Sequence, residues 1–139
     1  MNLQLSLITK WFELSEPDQK TEDYRSITPY WAKRFFLYQE ENIGKCLTDA
    51  EIEEICEDLN NANNCMGELE EEISFVLDNW YLSFKKFTTN TLTKGYPPKE
   101  DLTRKKVYEH KGIEISTGRE EWGAEPGKLY FVIKHGKRL

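Results

Sequence analysis

Residues 19–34 read QKTEDYRSITPYWAKR. From Lys20 onward side chains alternate, with Lys20, Glu22 and Tyr24 on one side and Thr21, Asp23 and Arg25 on the other, the period of a strand. Thr28 then precedes Pro29, and a proline at the first helical position behind a threonine cap marks a helix start. The stretch predicts a strand over 20–27 that passes into a helix running to about Tyr38. It also interleaves charges of both signs with Tyr24, Tyr30 and Trp31, so it is the first candidate for a site.

On its N-terminal side, Leu3, Leu5 and Leu7 alternate with Gln4, Ser6 and Ile8, a strand with one mainly apolar face. KWFELS (10–15) gives a short helical turn ended by Pro17. On the C-terminal side, LTDAEI (47–52) carries a capping box, with Thr48 as N-cap and Glu51 three residues on, and Leu47 and Ile52 placed as a hydrophobic staple. Ile52, Ile55, Cys56 and Leu59 share one helical face. NNANN (60–64) breaks that helix. A second helix follows with Leu69, Ile73, Val76, Leu77 and Trp80 on one face. From Phe84 the period returns to two: FKKFTTNTLTKGY predicts one long strand, KGYPPKED a loop, VYEHKGIEI a strand with a bulge at Gly112, TGREEWGAEPGK a loop and KLYFVIKHG a final strand. About five strands and a few short helices predict an α+β fold: a single domain over 1–139, a small, partly closed β-barrel with flanking helices and a helical hairpin inserted at about 40–82.

The 139 residues are 38% hydrophobic and 13% aromatic, enough for a folded core without staples. No apolar run reaches the roughly 18 residues of a membrane-spanning helix. MNLQLSLITKWF lacks the basic start and small-residue cleavage site of a signal peptide, which predicts a cytoplasmic protein. Cys46, Cys56 and Cys65 lie far apart, and the two histidines, His110 and His135, lie far from them. Buried apolar thiols are expected rather than disulfides or a metal site, and no cofactor is expected. The net charge of −6 is unevenly spread: residues 40–79 hold 13 acidic residues and one lysine, the rest 12 acidic and 18 basic. A mildly basic body thus carries an acidic hairpin, a solvated surface or a surface for a protein partner.

No G-x-S-x-G, paired Cys and His, metal-binding helix or phosphate-binding glycine loop is present. What remains is the opening stretch. Lys20 and Arg25 are suited to phosphate or a polar base edge, the helix start at Pro29 to an anion, and Tyr30 or Trp31 to stacking on a base; Arg34 lies one turn further on. Strict alternation sets Lys20 opposite Asp23 and Arg25, so a shared cleft requires a bulge or strand end near Lys20. The same residues also fit surface ion pairs over a core of Trp31, Phe35 and Phe36. Trp122 either caps the barrel or walls the cleft, and Lys94 and Tyr96 end a strand near the same mouth. Arg104-Lys105-Lys106 reads as solvated surface.

KWFELSEPDQKTEDYRSITPYWAKR resembles the opening of ASCH domains, especially a group found in phages and bacterial genomes. There a Trp-Phe pair precedes a G-x-K-x-x-E-x-R signature and Pro-Tyr-Trp opens a helix. Trp11-Phe12, Lys20, Arg25 and Pro29-Tyr30-Trp31 match; Asp18 replaces the glycine and Asp23 the glutamate. KGIEISTGREEWGAEPGKLYFVIKHG also resembles this group, so the resemblance spans about residues 3–38 and 84–136, with the acidic hairpin as an insertion. It implies a PUA-like β-barrel with a cleft bordered by the signature residues, and RNA or a modified nucleoside or nucleotide as ligand. One branch of the family hydrolyses an N4-acylated cytidine nucleoside with a lysine, a threonine three residues on and a glutamate elsewhere. Lys20 matches the lysine, Asp23 stands at the threonine, and the glutamate has no counterpart. The resemblance thus implies a binding module at Lys20, Arg25, Tyr30, Trp31, Arg34, Lys94, Tyr96 and Trp122, with a hydrolase using Lys20 and Asp23 as the alternative and an adaptor working through the acidic hairpin as the second.

Overall fold

In the computed structural model, which describes residues 1–16, 19–38, 47–62, 67–96 and 101–139, strand β1 (Asn2–Leu7) buries Leu3, Leu5 and Leu7 and turns Asn2 and Gln4 outward. Helix α1 (Thr9–Leu14), strand β2 (Glu22–Ser26), helix α2 (Pro29–Phe35) and strand β3 (Phe36–Tyr38) follow. Helices α3 (Asp49–Asn61) and α4 (Leu69–Asn79) pack as a hairpin. Strands β4 (Leu82–Phe84), β5 (Thr89–Lys94), β6 (Lys105–Thr117) and β7 (Leu129–Arg138) complete the chain. The expected positions of Pro17, Asp18, Cys46, Cys65 and Pro97-Pro98 lie outside the described residues.

The fold is α+β. Five strands form one curled sheet, a half-barrel, in the order β1-β5-β6-β7-β2; β3 and β4 form a separate pair. Only β1 and β5 run parallel, and the other neighbours are antiparallel. Strands β1 and β2 are the two edges. The curl brings them together: Arg25 on β2 donates from Nη2 to the backbone oxygen of Ser6 on β1 at 2.9 Å.

The core centres on rings. Phe131 meets Phe35, Phe36 and Phe84 edge-on at 5.2, 5.5 and 6.2 Å. Burying each such side chain contributes about 1.5–3 kcal/mol. The hairpin joins the same cluster through Ile52, Ile55, Cys56, Leu59 and Ile73, with Leu47, Leu69, Val76, Leu77 and Trp80 partly buried against it. Its capping box forms as spaced: Thr48 accepts from the Glu51 amide at 3.2 Å, and Glu51 accepts from the Thr48 amide at 3.1 Å. Asn60 ties α3 to the body by donating to the Ile27 backbone oxygen at 3.0 Å. Burial, with the charge of Glu53, pushes the Cys56 thiol up to about 11, so it is a packing residue.

Three expectations change. Helix α2 ends at Phe35, not near Tyr38, because Phe36-Leu37-Tyr38 pairs with Leu82-Ser83-Phe84 and the Phe36 and Phe84 rings stack at 5.0 Å. A cross-strand aromatic pair outweighs one more helical turn. The long strand from Phe84 is two strands, because Phe84 belongs to β3's partner while Thr89 pairs with β1. Of Arg104 and Lys106, Lys106 is largely covered and Arg104 stays partly exposed, and both are tied to the body. Arg104 bonds the Lys94 backbone oxygen at 2.7 Å, and Lys106 reaches Glu16 at 2.9 Å and the Phe12 backbone oxygen at 2.8 Å, capping the end of α1. The bulge at Gly112 is present: β6 shifts register between His110 and Gly112, where φ is +123°. Among the described residues, no helix is long and apolar enough to cross a membrane.

Candidate functional site

Strand β2 begins at Glu22, so Lys20 lies before the strand and escapes its alternation. The chain turns there, with the Gln19 and Lys20 amides both donating to the Glu16 backbone oxygen. This strand end lets Lys20 swing to the Asp23 side and bond Asp23 Oδ1. The lysine does not open to solvent: its side chain is 1% exposed and that of Asp23 4%.

Asp23 is the start of a buried polar chain. Its Oδ2 lies 2.6 Å from His135 Nε2 on β7. His135 Nδ1 lies 2.8 Å from the Asn90 side-chain nitrogen on β5, and Asn90 Oδ1 lies 2.7 Å from His110 Nδ1 on β6. One assignment satisfies every contact: His135 protonated on Nε2 donates to Asp23, Asn90 donates to Nδ1, and His110 donates to Asn90. The second amide hydrogen of Asn90 reaches the Lys134 backbone oxygen at 3.3 Å. Burial is the largest influence on Asp23 and works to raise its pKa. The hydrogen bond from His135 and the charge of Lys20 reverse that and hold the carboxyl below its ordinary range, so it is ionised at neutral pH. Burial lowers the pKa of Lys20, with Asp23 opposing.

Arg25, two residues along the same strand, marks the accessible part. Two hollows share it and Ser6 as a common wall. The first, about 260 Å³, is lined by Trp11, Asp23, Tyr24, Trp122, Gly123 and Tyr130. The second, about 340 Å³, is lined by Gln4, Tyr30, Trp31, Thr93 and Tyr96. The guanidinium lies 4.9 Å from the Trp31 ring centre, and its Nε has no hydrogen-bond partner. Among the described residues lining the first hollow, Asp23 is the one acidic side chain and Arg25 the one basic side chain. The hollow therefore offers the Arg25 guanidinium and aromatic walls, while both oxygens of the buried Asp23 at its base are taken by Lys20 and His135. Gly123 is required there: φ is +95°, and a Cβ would stand 2.8 Å from Trp11 Cζ2.

The predicted residues divide between these places. Arg25, Trp31, Tyr30, Tyr96 and Trp122 border the hollows, Trp122 lining the first. Arg34 lies 3.4 Å from the Tyr30 ring centre and covers it. The Trp31 ring stacks on Phe35 at 5.4 Å, so both rings already have partners. Lys94 borders an adjoining hollow and faces Glu13 at 3.7 Å. Lys20 is buried with Asp23, out of reach of a phosphate. The start of α2 offers no anion site, being the end of a seven-residue helix whose first residue, Pro29, has no N–H. Trp11, Tyr24 and Tyr130 were not singled out as ligand residues, nor His135, Asn90 and His110 as a polar chain. Trp11 had a local signal in the Trp-Phe pair, and Tyr24 in its place among the charges of the opening stretch. The others meet across strands 20–112 residues apart, a pairing the sequence alone does not display.

Comparison with protein-family models, curated proteins and solved structures gives no match.

Proposed function

We propose that this chain is a base-binding module of the ASCH, PUA-like type, a single cytoplasmic domain that takes one nucleobase at a time, from RNA or as a free modified nucleoside or nucleotide. The observation that carries the reading is Arg25: a guanidinium whose buried Nε has no hydrogen-bond partner, set between Trp11, Tyr24, Trp122 and Tyr130 on one side and Trp31 and Tyr96 on the other. The curled half-barrel and the gathering of Lys20, Asp23 and Arg25 at one sheet edge support it further. With Lys20 enclosed, base recognition is favoured over a groove that tracks phosphates. The hydrolase alternative has less support, because Lys20 would have to touch substrate and its side chain is 1% exposed.

The test is tryptophan-fluorescence titration with the common nucleosides, N4-acetylcytidine and short single-stranded RNA, for wild type, Trp122→Ala and Arg25→Gln. Binding of at least one nucleoside is expected, weakened in Trp122→Ala by about 1–3 kcal/mol, the worth of one stacked base. Its salt dependence should be shallow. Binding seen only with polymer, falling steeply with salt, would replace base recognition by phosphate tracking. Binding indifferent to Trp122→Ala and Arg25→Gln would remove the cleft from the account.

A further inference from the structure

The bulge in β6 leaves open, beyond it, the edge of that strand facing away from β7 and β2. The first half of β6, Lys105–Glu109, pairs with β5 on one side, and the last bond in that direction runs from the His110 amide to the Thr88 backbone oxygen at 3.0 Å. Beyond the bulge, Ile113–Ser116 pair with β7 alone. Among the described residues, the backbone of this segment makes no hydrogen bond on its other edge. In an antiparallel strand every second residue directs both its N–H and its C=O to one edge. The segment therefore presents unpaired donors and acceptors.

That edge fronts a groove of about 730 Å³, within the roughly 300–1,000 Å³ of ordinary ligand sites. Ile73 and Leu77 of α4, with Phe84, supply its apolar surface, and Glu68, Glu70 and Glu114 its charge. Lys134 neutralises Glu114 at 3.0 Å. Glu68 and Glu70 are exposed, and the described residues of the hairpin, 47–62 and 67–80, hold eleven acidic side chains and no lysine or arginine. A second copy of this chain would bring acidic rims together, so charge selects a basic occupant.

We propose that the groove receives an extended, basic protein segment that adds as a strand to Ile113–Ser116. Its lysine or arginine side chains lie against Glu68 and Glu70, and its alternate apolar side chains rest on Ile73, Leu77 and Phe84. Main-chain bonds to the open edge supply affinity, and the acidic rim with the apolar surface supplies selectivity. The interaction is independent of base binding.

The probe is a fluorescein-labelled, end-blocked hexapeptide of alternating lysine and valine, with two analogues N-methylated on one or the other set of alternate amides. Anisotropy titration is paired with amide shift mapping of the isotope-labelled protein. Parent-peptide binding should move the amide signals of Ile113–Ser116. One of the two methylated analogues should bind about tenfold more weakly or worse, and the other like the parent, because only one edge of a strand faces β6. Glu68→Lys/Glu70→Lys, at exposed positions where circular dichroism checks the fold, should lose about tenfold as well. Equal binding by both analogues, shifts confined to the outer face of α3, or no binding at about 1 mM would overturn the proposal. So would a dimer on light scattering that uses this edge.

Discussion

Asp23→Asn is the sharpest perturbation available, because it removes one charge from a pair that has almost no access to water. The side chains of Lys20 and Asp23 are 1% and 4% exposed, and Asp23 is also bonded to a His135 side chain that is 2% exposed. An exposed ion pair in this place would be worth about 0–1 kcal/mol. Leaving one charge of a buried pair without its partner costs about 3–5 kcal/mol. Against a total stability of about 5–15 kcal/mol, that is a large fraction. The assay is urea unfolding followed by tryptophan fluorescence at neutral pH, for Asp23→Asn, Lys20→Met and the double variant. The single Asp23→Asn change should cost about 3–5 kcal/mol, and the double should recover most of it because no charge remains stranded. The sign with pH follows from Lys20, whose folded pKa is lowered by burial. The folded state gives up that proton more readily than the unfolded chain, so the deficit of Asp23→Asn should shrink as pH rises toward the ordinary lysine value of 10.5. A cost below about 1 kcal/mol, or one that persists unchanged in the Lys20→Met background, would show that water screens the pair and that the buried-chain reasoning fails.

Acid should act on the same chain through His110, whose pKa is lowered chiefly by burial. Its contribution is full above the ordinary value of 6.5 and is lost as pH falls through the folded value, so urea midpoints should drop between neutral pH and about pH 5, and less so in His110→Asn. Gly123→Ala should destabilise by about 1–3 kcal/mol, from the positive φ and the contact with Trp11, and should also weaken nucleoside binding by narrowing the first hollow; intact binding in a folded variant would remove this wall from the site. Thr48→Ala should cost about 1 kcal/mol on thermal or urea unfolding by removing the cap of α3.

The elements most legible in the sequence are those whose causes are local. The capping box at Thr48 and Glu51 forms because both partners lie within one turn. The Thr28-Pro29 helix start and the Gly112 bulge follow from fixed φ preferences of single residues. The apolar faces of β1, α3 and α4 follow from periods of two and 3.6. The end of α2 was not legible, because Phe36 leaves the helix for Phe84, a ring 48 positions away.

The sequence by itself thus determined the mixed α+β character and the hairpin, and it singled out the stretch around Asp23 and Arg25 as the candidate site, since periodicity, caps and composition act over a few residues. Only the tertiary structure decided what each charge does. Lys20 turns inward to Asp23 while Arg25 borders the cleft, although the two sit five residues apart. The reason is the antiparallel pairing of β2 with β7, which places His135 against Asp23. Burial then converts a surface pattern of mixed charges into a closed polar chain, and leaves one guanidinium at the mouth.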